Sequence, residues 1–163
     1  MALSIKTEGL SELSEMFEKL AEEAETVASE ALYEGAKVVA DSLASEVKKI
    51  RAEPQGKKNK KPEKTPARYP TPEEKAALAS NIGIAKFKKN GSEVDTIIGV
   101  GHGYMNVNGK KKAVALIARS INSGTSFMHK QPFIRKAVNK SRAAAKAAII
   151  AKAEEKLNEI TNK

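Results

Sequence analysis

The chain has 163 residues, 40% of them apolar and 30% charged, with a net charge of +9. That is the length of one domain, too polar for a membrane-embedded protein and too apolar for a wholly disordered one. It contains no cysteine and no tryptophan, which excludes a disulfide framework, a thiolate metal site and a cysteine nucleophile and leaves an aliphatic, alanine-rich core.

Charge is unevenly spread. Residues 1–47 hold eleven acids and three bases, a net of −8, and the remainder carries a net of +17. A basic total points toward nucleic acid, because lysines placed near phosphates release counterions. An acidic segment followed by a basic remainder points equally toward copies packing with unlike ends together. No basic-then-apolar leader pattern opens the chain, and no apolar run approaches the roughly 18–20 residues that span a bilayer. The chain therefore reads as cytosolic and soluble, with no membrane partner.

Leu3-Ser4-Ile5-Lys6 suggests a short opening strand. From Ser11 to Ile50 the spacing predicts one long helix. Leu10, Leu13, Phe17, Leu20, Ala24, Val27 and Ala31 recur at three- and four-residue steps. The stripe resumes with Val38, Val39, Leu43, Val47 and Ile50, and acids crowd the positive N-terminal end as the helix dipole favours. Gly35 either bends this helix or admits a close neighbour. Unbroken, it is about 60 Å long, too long for one small domain to cover, so part of it is expected to pack on another chain.

Residues 52–70 carry Pro54, Gly56, Pro62, Pro66 and Pro70 among six bases, with almost no apolar content. Such a segment cannot offset the entropy of ordering and reads as a flexible basic loop. It is either a solvated linker or an arm that touches DNA or an acidic protein surface through Lys57, Lys58, Lys60, Lys61, Lys64 and Arg68.

Thr71-Pro72-Glu73-Glu74 is a capping box with proline in the first helical position, opening a short helix to about Ser80. Ile82, Ile84 and Phe87 suggest one strand and Val94 to Val100 a second, with Asn90-Gly91 as the hairpin signal between them. A second Asn-Gly, at Asn108-Gly109, lies between Met105-Asn106-Val107 and a lysine run. Ala113 to Ile121 fits a strand or a helix, its apolar spacing favouring helix. Pro132 to Ile160 is a second long helix with eight alanines, the best helix formers, whose small side chains let another helix approach. The architecture expected is a single α+β domain over residues 1–163, its two long helices, N- and C-terminal, packed on a small antiparallel sheet.

Little in the sequence carries chemistry. Gly99-Val100-Gly101-His102-Gly103 matches neither the dinucleotide nor the P-loop pattern, and more simply ends a strand and opens a loop. His102 and His129 lack ligand spacing. Ser126 near His129 has neither a nucleophile-elbow context nor a neighbouring acid to orient the histidine. No catalytic, cofactor-binding or metal residues are assigned, and no enzyme activity is expected.

The segment from Ile121 to Ala137 reads first as a structural loop and helix start: Gly124 permits a tight turn, Thr125 or Ser126 bonds the local backbone, and Phe133 and Ile134 anchor the helix. Its wording, NSGTSFMHKQPFIRKAV, also resembles a signature near the C-terminus of the neck or tail-completion family of long-tailed double-stranded DNA phages and prophages. Upstream, IKTEGLSELSEMFEKL resembles that family's opening strand and long amphipathic helix, and AALASNIGI its second element, followed by a hairpin ending in IIGVG. Asn122 and Ser123 stand where the family has an acid and an aromatic, and Ala76 and Asn81 where its second element has glycine and serine.

The resemblance implies a structural virion protein of the head–tail junction, assembled in the host cytoplasm. It implies a homo-oligomeric ring, a hexamer or dodecamer, that joins the tail to the filled capsid. Its partners would be other neck, connector and tail-tube proteins, with non-specific proximity to DNA and no cofactor. Gly124, Thr125, Ser126, Phe127, Met128, Pro132 and Phe133 are then the candidate partner contacts. The lysines of the basic arm and Arg68 are the candidate contacts to DNA or an acidic neighbour, and the acidic helix is an inter-subunit face. The alternative reading is a free nucleic-acid-binding protein acting through the arm and Lys110–Lys112.

Overall fold

The computed structural model describes residues 10–54, 67–90, 93–107 and 109–161. The suggested opening strand and the lysines of the basic arm lie outside these residues. Helix α1 runs from Leu10 to Lys48 without a break, about 58 Å at 1.5 Å per residue. Its last turn tightens as the Lys49 and Ile50 amides donate to Glu46 and Val47. The other long helix, α4, spans Phe133–Thr161. The two lie antiparallel: the Ser42 hydroxyl donates to the Ala137 carbonyl, Gly35 sits under Ala145 and Ile149, and Lys156 pairs with Glu30.

Gly35 settles its two readings in favour of close approach. A Cβ there would stand 2.4 Å from Ile149 Cγ1 and 3.1 Å from the Ala145 carbonyl oxygen. The helix stays unbroken through it, and small side chains at Ala31, Ala137 and Ala145 continue the seam, all buried. Alanine-rich α4 is thus a helix whose composition serves packing distance as well as propensity.

Between these rods the chain builds α2 (Pro72–Ser80), four short strands β1 (Ile82–Ile84), β2 (Lys88–Asn90), β3 (Glu93–Asp95) and β4 (Ile98–Val100), then β5 (Tyr104–Val107), β6 (Lys110–Ala113) and α3 (Val114–Ser123). The capping box is present in full: the Glu74 amide donates to Thr71 Oγ1 and the Thr71 amide to the Glu74 carboxylate. Val114, Ile117, Ala118 and Ile121 are all buried, which decides the ambiguous segment as helix.

The first hairpin is one ladder with a dislocation. Ile82 faces Val100 and Ile84 faces Ile98, but beyond them Lys88 faces Asp95 and Asn90 faces Glu93. Three residues on the outgoing limb therefore oppose two on the return, a β-bulge that splits each expected strand in two. Across it the Ala85 amide donates to the Ile97 carbonyl and the Thr96 hydroxyl to the Ala85 carbonyl. The second hairpin pairs Val107 with Lys110 and turns at Gly109, φ 74°. The α+β class stands. Its small antiparallel β part consists of three two-stranded pairs, and the long helices pack on each other as well.

The main core lies at one end of the rod. Leu43 and Val47 of α1 and Ile50 just after it meet Leu78 of α2, the buried face of α3, Met128 of the loop that follows, and Phe133 and Ala137 at the start of α4. Each fully buried side chain of this kind contributes roughly 1.5–3 kcal/mol. From there the bulged hairpin runs back along α1: Ile82 and Val100 touch the core, Phe87 meets Tyr33 edge-on at 6.4 Å, and Lys89 pairs with Glu25.

Candidate functional site

Both supports of α1 end near the same level. The hairpin reaches Glu25, and α4, which has Lys156 beside Glu30, closes five residues later at Thr161. About three turns of α1 therefore project beyond α4, with no helix beside them among the described residues. Phe17 on this projection is 62% exposed, and Glu18, Glu23, Ala24 and Glu25 are exposed as well. The apolar stripe read from the sequence continues past the described elements that pack on α1.

At the opposite end lies the segment from Gly124 to Phe133. Gly124 closes α3 with φ 76° and its amide on the Ser120 carbonyl; a Cβ there would stand 2.8 Å from Lys130 Cβ. Thr125 and Met128 exchange backbone hydrogen bonds of 3.0 and 3.3 Å, pinching residues 125–128 into a tight turn. Met128 and Phe133 point inward and are buried, and Gly124 and Pro132 are half-buried. Thr125, Ser126 and Phe127 form an exposed tip, Phe127 at 53%. Of the seven predicted contact residues, then, only the tip faces solvent fully.

The loop is clamped from two sides. Gln131 uses both ends of its amide on one backbone unit, accepting from the Arg51 amide at 2.8 Å and donating to the Arg51 carbonyl at 3.0 Å. This ties the end of α1 to the start of α4. The Asn122 carboxamide oxygen accepts from the Ile134 amide at 3.1 Å and caps the first turn of α4.

On the other side Arg68 lies alongside the turn. Its amide donates to the Phe127 carbonyl at 3.0 Å and its carbonyl accepts from the His129 amide at 2.9 Å. Its guanidinium forks onto both oxygens of Glu74 at 2.7 Å. Burial pushes the Glu74 carboxyl up, but Arg68, the Thr71 amide and nearby Lys112 together hold it below the usual carboxylate range. Arg51, Tyr69 and His129 stack over one another, 4.4 and 4.5 Å apart. Arg68, grouped with the arm as a contact to DNA, is therefore committed to Glu74 and to the root of the loop. The structure brings it beside Phe127 and Met128, a meeting that nothing in their spacing announces.

The lysine run is a strand whose Lys110, Lys111 and Lys112 are all exposed beside exposed Tyr104. The glycine run passes close to α2. A Cβ on Gly103 would collide with the Asn81 side chain at 1.8 Å, and the Gly101 amide donates to the Asn81 carbonyl at 2.7 Å. A groove of about 450 Å³ is lined by Tyr33, Phe87, Glu30, Glu34 and Lys152, where Glu34 pairs with Lys37 and Glu30 with Lys156. Ser126 and His102 are exposed, and His129 lies against Tyr69. Among the described residues, no three His, Asp or Glu side chains gather to hold a metal. No helix among them is long and apolar enough to cross a membrane.

No family model matches the chain, and no curated protein or solved structure is significantly similar to it.

Proposed function

We propose that this chain is a structural subunit of a phage head–tail junction, a neck or tail-completion protein that assembles into a ring between tail and capsid. One observation carries the reading: α1 continues its apolar, acid-flanked helix about three turns past every other described element, with Phe17 62% exposed. A large exposed apolar side chain on an unsupported helix favours a neighbouring surface. The resemblance of the Gly124–Phe133 segment to the family's signature supplies the biological setting. Its exposed tip, Thr125 to Phe127, offers the partner contact and its inner residues hold the fold. Electron microscopy of the protein mixed with tails of its own phage tests this. Density at the tail's upper end supports the reading; a protein that stays monomeric and ignores both tails and connectors overturns it.

A second reading has its own observation. Lys110, Lys111 and Lys112 stand exposed on a hairpin with Tyr104, a basic surface able to meet phosphates. It requires duplex binding at low salt that weakens steeply as salt rises. Absence of such binding at low salt removes it.

A further inference from the structure

The projecting end of α1 has an unlike counterpart at the far end of the same molecule. From Phe133 to Ala153 helix α4 contains six bases and no acid. Ile134 and Val138, one turn apart on it, are 41% and 45% exposed although they lie next to the core. Helical spacing sets Arg135 and Arg142 beside this pair and Lys146 a little further round, all three exposed. Lys136 and Lys140 lie on another side, close enough to help hold the Glu46 carboxyl below its usual range after the Lys49 hydrogen bond.

On α1, residues 10–26 hold six acids and one base. Phe17 lies on the stripe with Leu10, Leu13 and Leu20, and exposed Glu18 and Glu23 lie to either side of it. An apolar strip edged by acids on one end thus matches an apolar pair edged by arginines on the other, about 40 Å away along the rod.

We propose that the projecting end of α1 docks on the Ile134–Val138 face of α4 in a second copy of this chain. Phe17 packs against the apolar pair, and Glu18 faces Arg135, Arg142 and Lys146. The two surfaces are different and lie at opposite ends, so the contact is heterologous. Each copy both gives and receives, and repetition produces a ring or an open chain. This rests on the self-assembling reading above and assigns the surfaces that carry it.

The test uses two full-length variants altered only at exposed positions, Phe17→Asp/Glu18→Lys and Val138→Asp/Arg142→Glu, each checked for native helicity by circular dichroism. Sedimentation velocity and native mass spectrometry follow assembly. Each variant alone should self-associate about tenfold or more weakly than the wild type. Mixed together they should form a 1:1 pair that grows no further, because each retains one intact surface. The wild-type assembly should loosen as salt rises.

If either variant assembles like the wild type, or the mixture stays monomeric, the surface assignment is wrong. In the first case the ring reading survives with other contacts. A wild type that remains monomeric at the highest attainable concentration also overturns the assignment, and its binding to tails then decides the ring reading separately.

Discussion

Gly35 lies directly beneath Ile149, so close that a single added methyl group would stand 2.4 Å from Ile149 Cγ1. The missing side chain sets the distance between the two long helices. Gly35→Ala gains about 1 kcal/mol in helix propensity but overpacks a seam whose insertions cost roughly 1–3 kcal/mol. A net loss of up to about 2 kcal/mol is expected in urea denaturation. Combined with Ile149→Ala, the total loss should fall short of the sum of the two single changes. Additive losses would mean that the two residues do not meet.

The Arg68–Glu74 fork gives the fold an acid-sensitive clasp. Glu74 is held below its usual carboxylate range, so its contribution is complete above the unfolded-state value and is lost as pH falls through the folded one. The window lies below about pH 4.5, the ordinary titration range of a glutamate. Glu74→Gln should lower stability at pH 7 by on the order of 2 kcal/mol and flatten the acid limb of a stability–pH curve. An acid limb identical to that of the wild type would place the clasp elsewhere.

The loop divides into residues that hold it and residues it offers. Met128→Ala and Phe133→Ala each open a cavity in the core and should cost roughly 2–5 kcal/mol. Phe127→Ala removes an exposed ring and should shift thermal stability by no more than about 0.5 kcal/mol. If the tip is a partner contact, that same variant loses decoration of phage tails while its melting curve stays in place. A strongly destabilised Phe127→Ala contradicts the division.

Deleting residues 56–66 should leave helicity and melting temperature unchanged. The Glu53 amide donates to the Pro70 carbonyl at 2.9 Å, so the two flanks of this segment are held together. A short connection can bridge that base. Loss of the helical circular-dichroism signal would show that the arm takes part in the fold.

Both long helices, the capped α2 and the ambiguous α3 were legible because each carries a periodic apolar face or a cap, signals written in neighbouring residues. The bulge was not. It adds one residue at Ala85–Phe87, and nothing in composition separates a strand from a strand with one extra member. The Lys110–Lys112 strand was hidden for a related reason: three exposed charges carry no alternation to read.

Within the loop, Gly124 and Phe133 announced their roles through turn chemistry and apolarity. The docking of Arg68 between Phe127 and His129 joins residues about 60 positions apart and leaves no local trace. Ile134, read from the sequence as an anchor of the helix, is likewise exposed together with Val138; an apolar residue near a helix start looks the same whether covered by its own chain or by another. The one available clue was the acid-free stretch of α4, visible by counting.

The seam between the rods has a mechanical consequence. Ile149 seated over Gly35 and the Ser42 hydroxyl on the Ala137 carbonyl interlock it along its length, so sliding of one helix along the other must lift a side chain out of its seat. At one end of the seam the Gln131 amide also grips the Arg51 backbone, and toward the other Lys156 pairs with Glu30 at 3.1 Å. Traction applied lengthwise is therefore shared between the Ile149 knob and the glutamine grip.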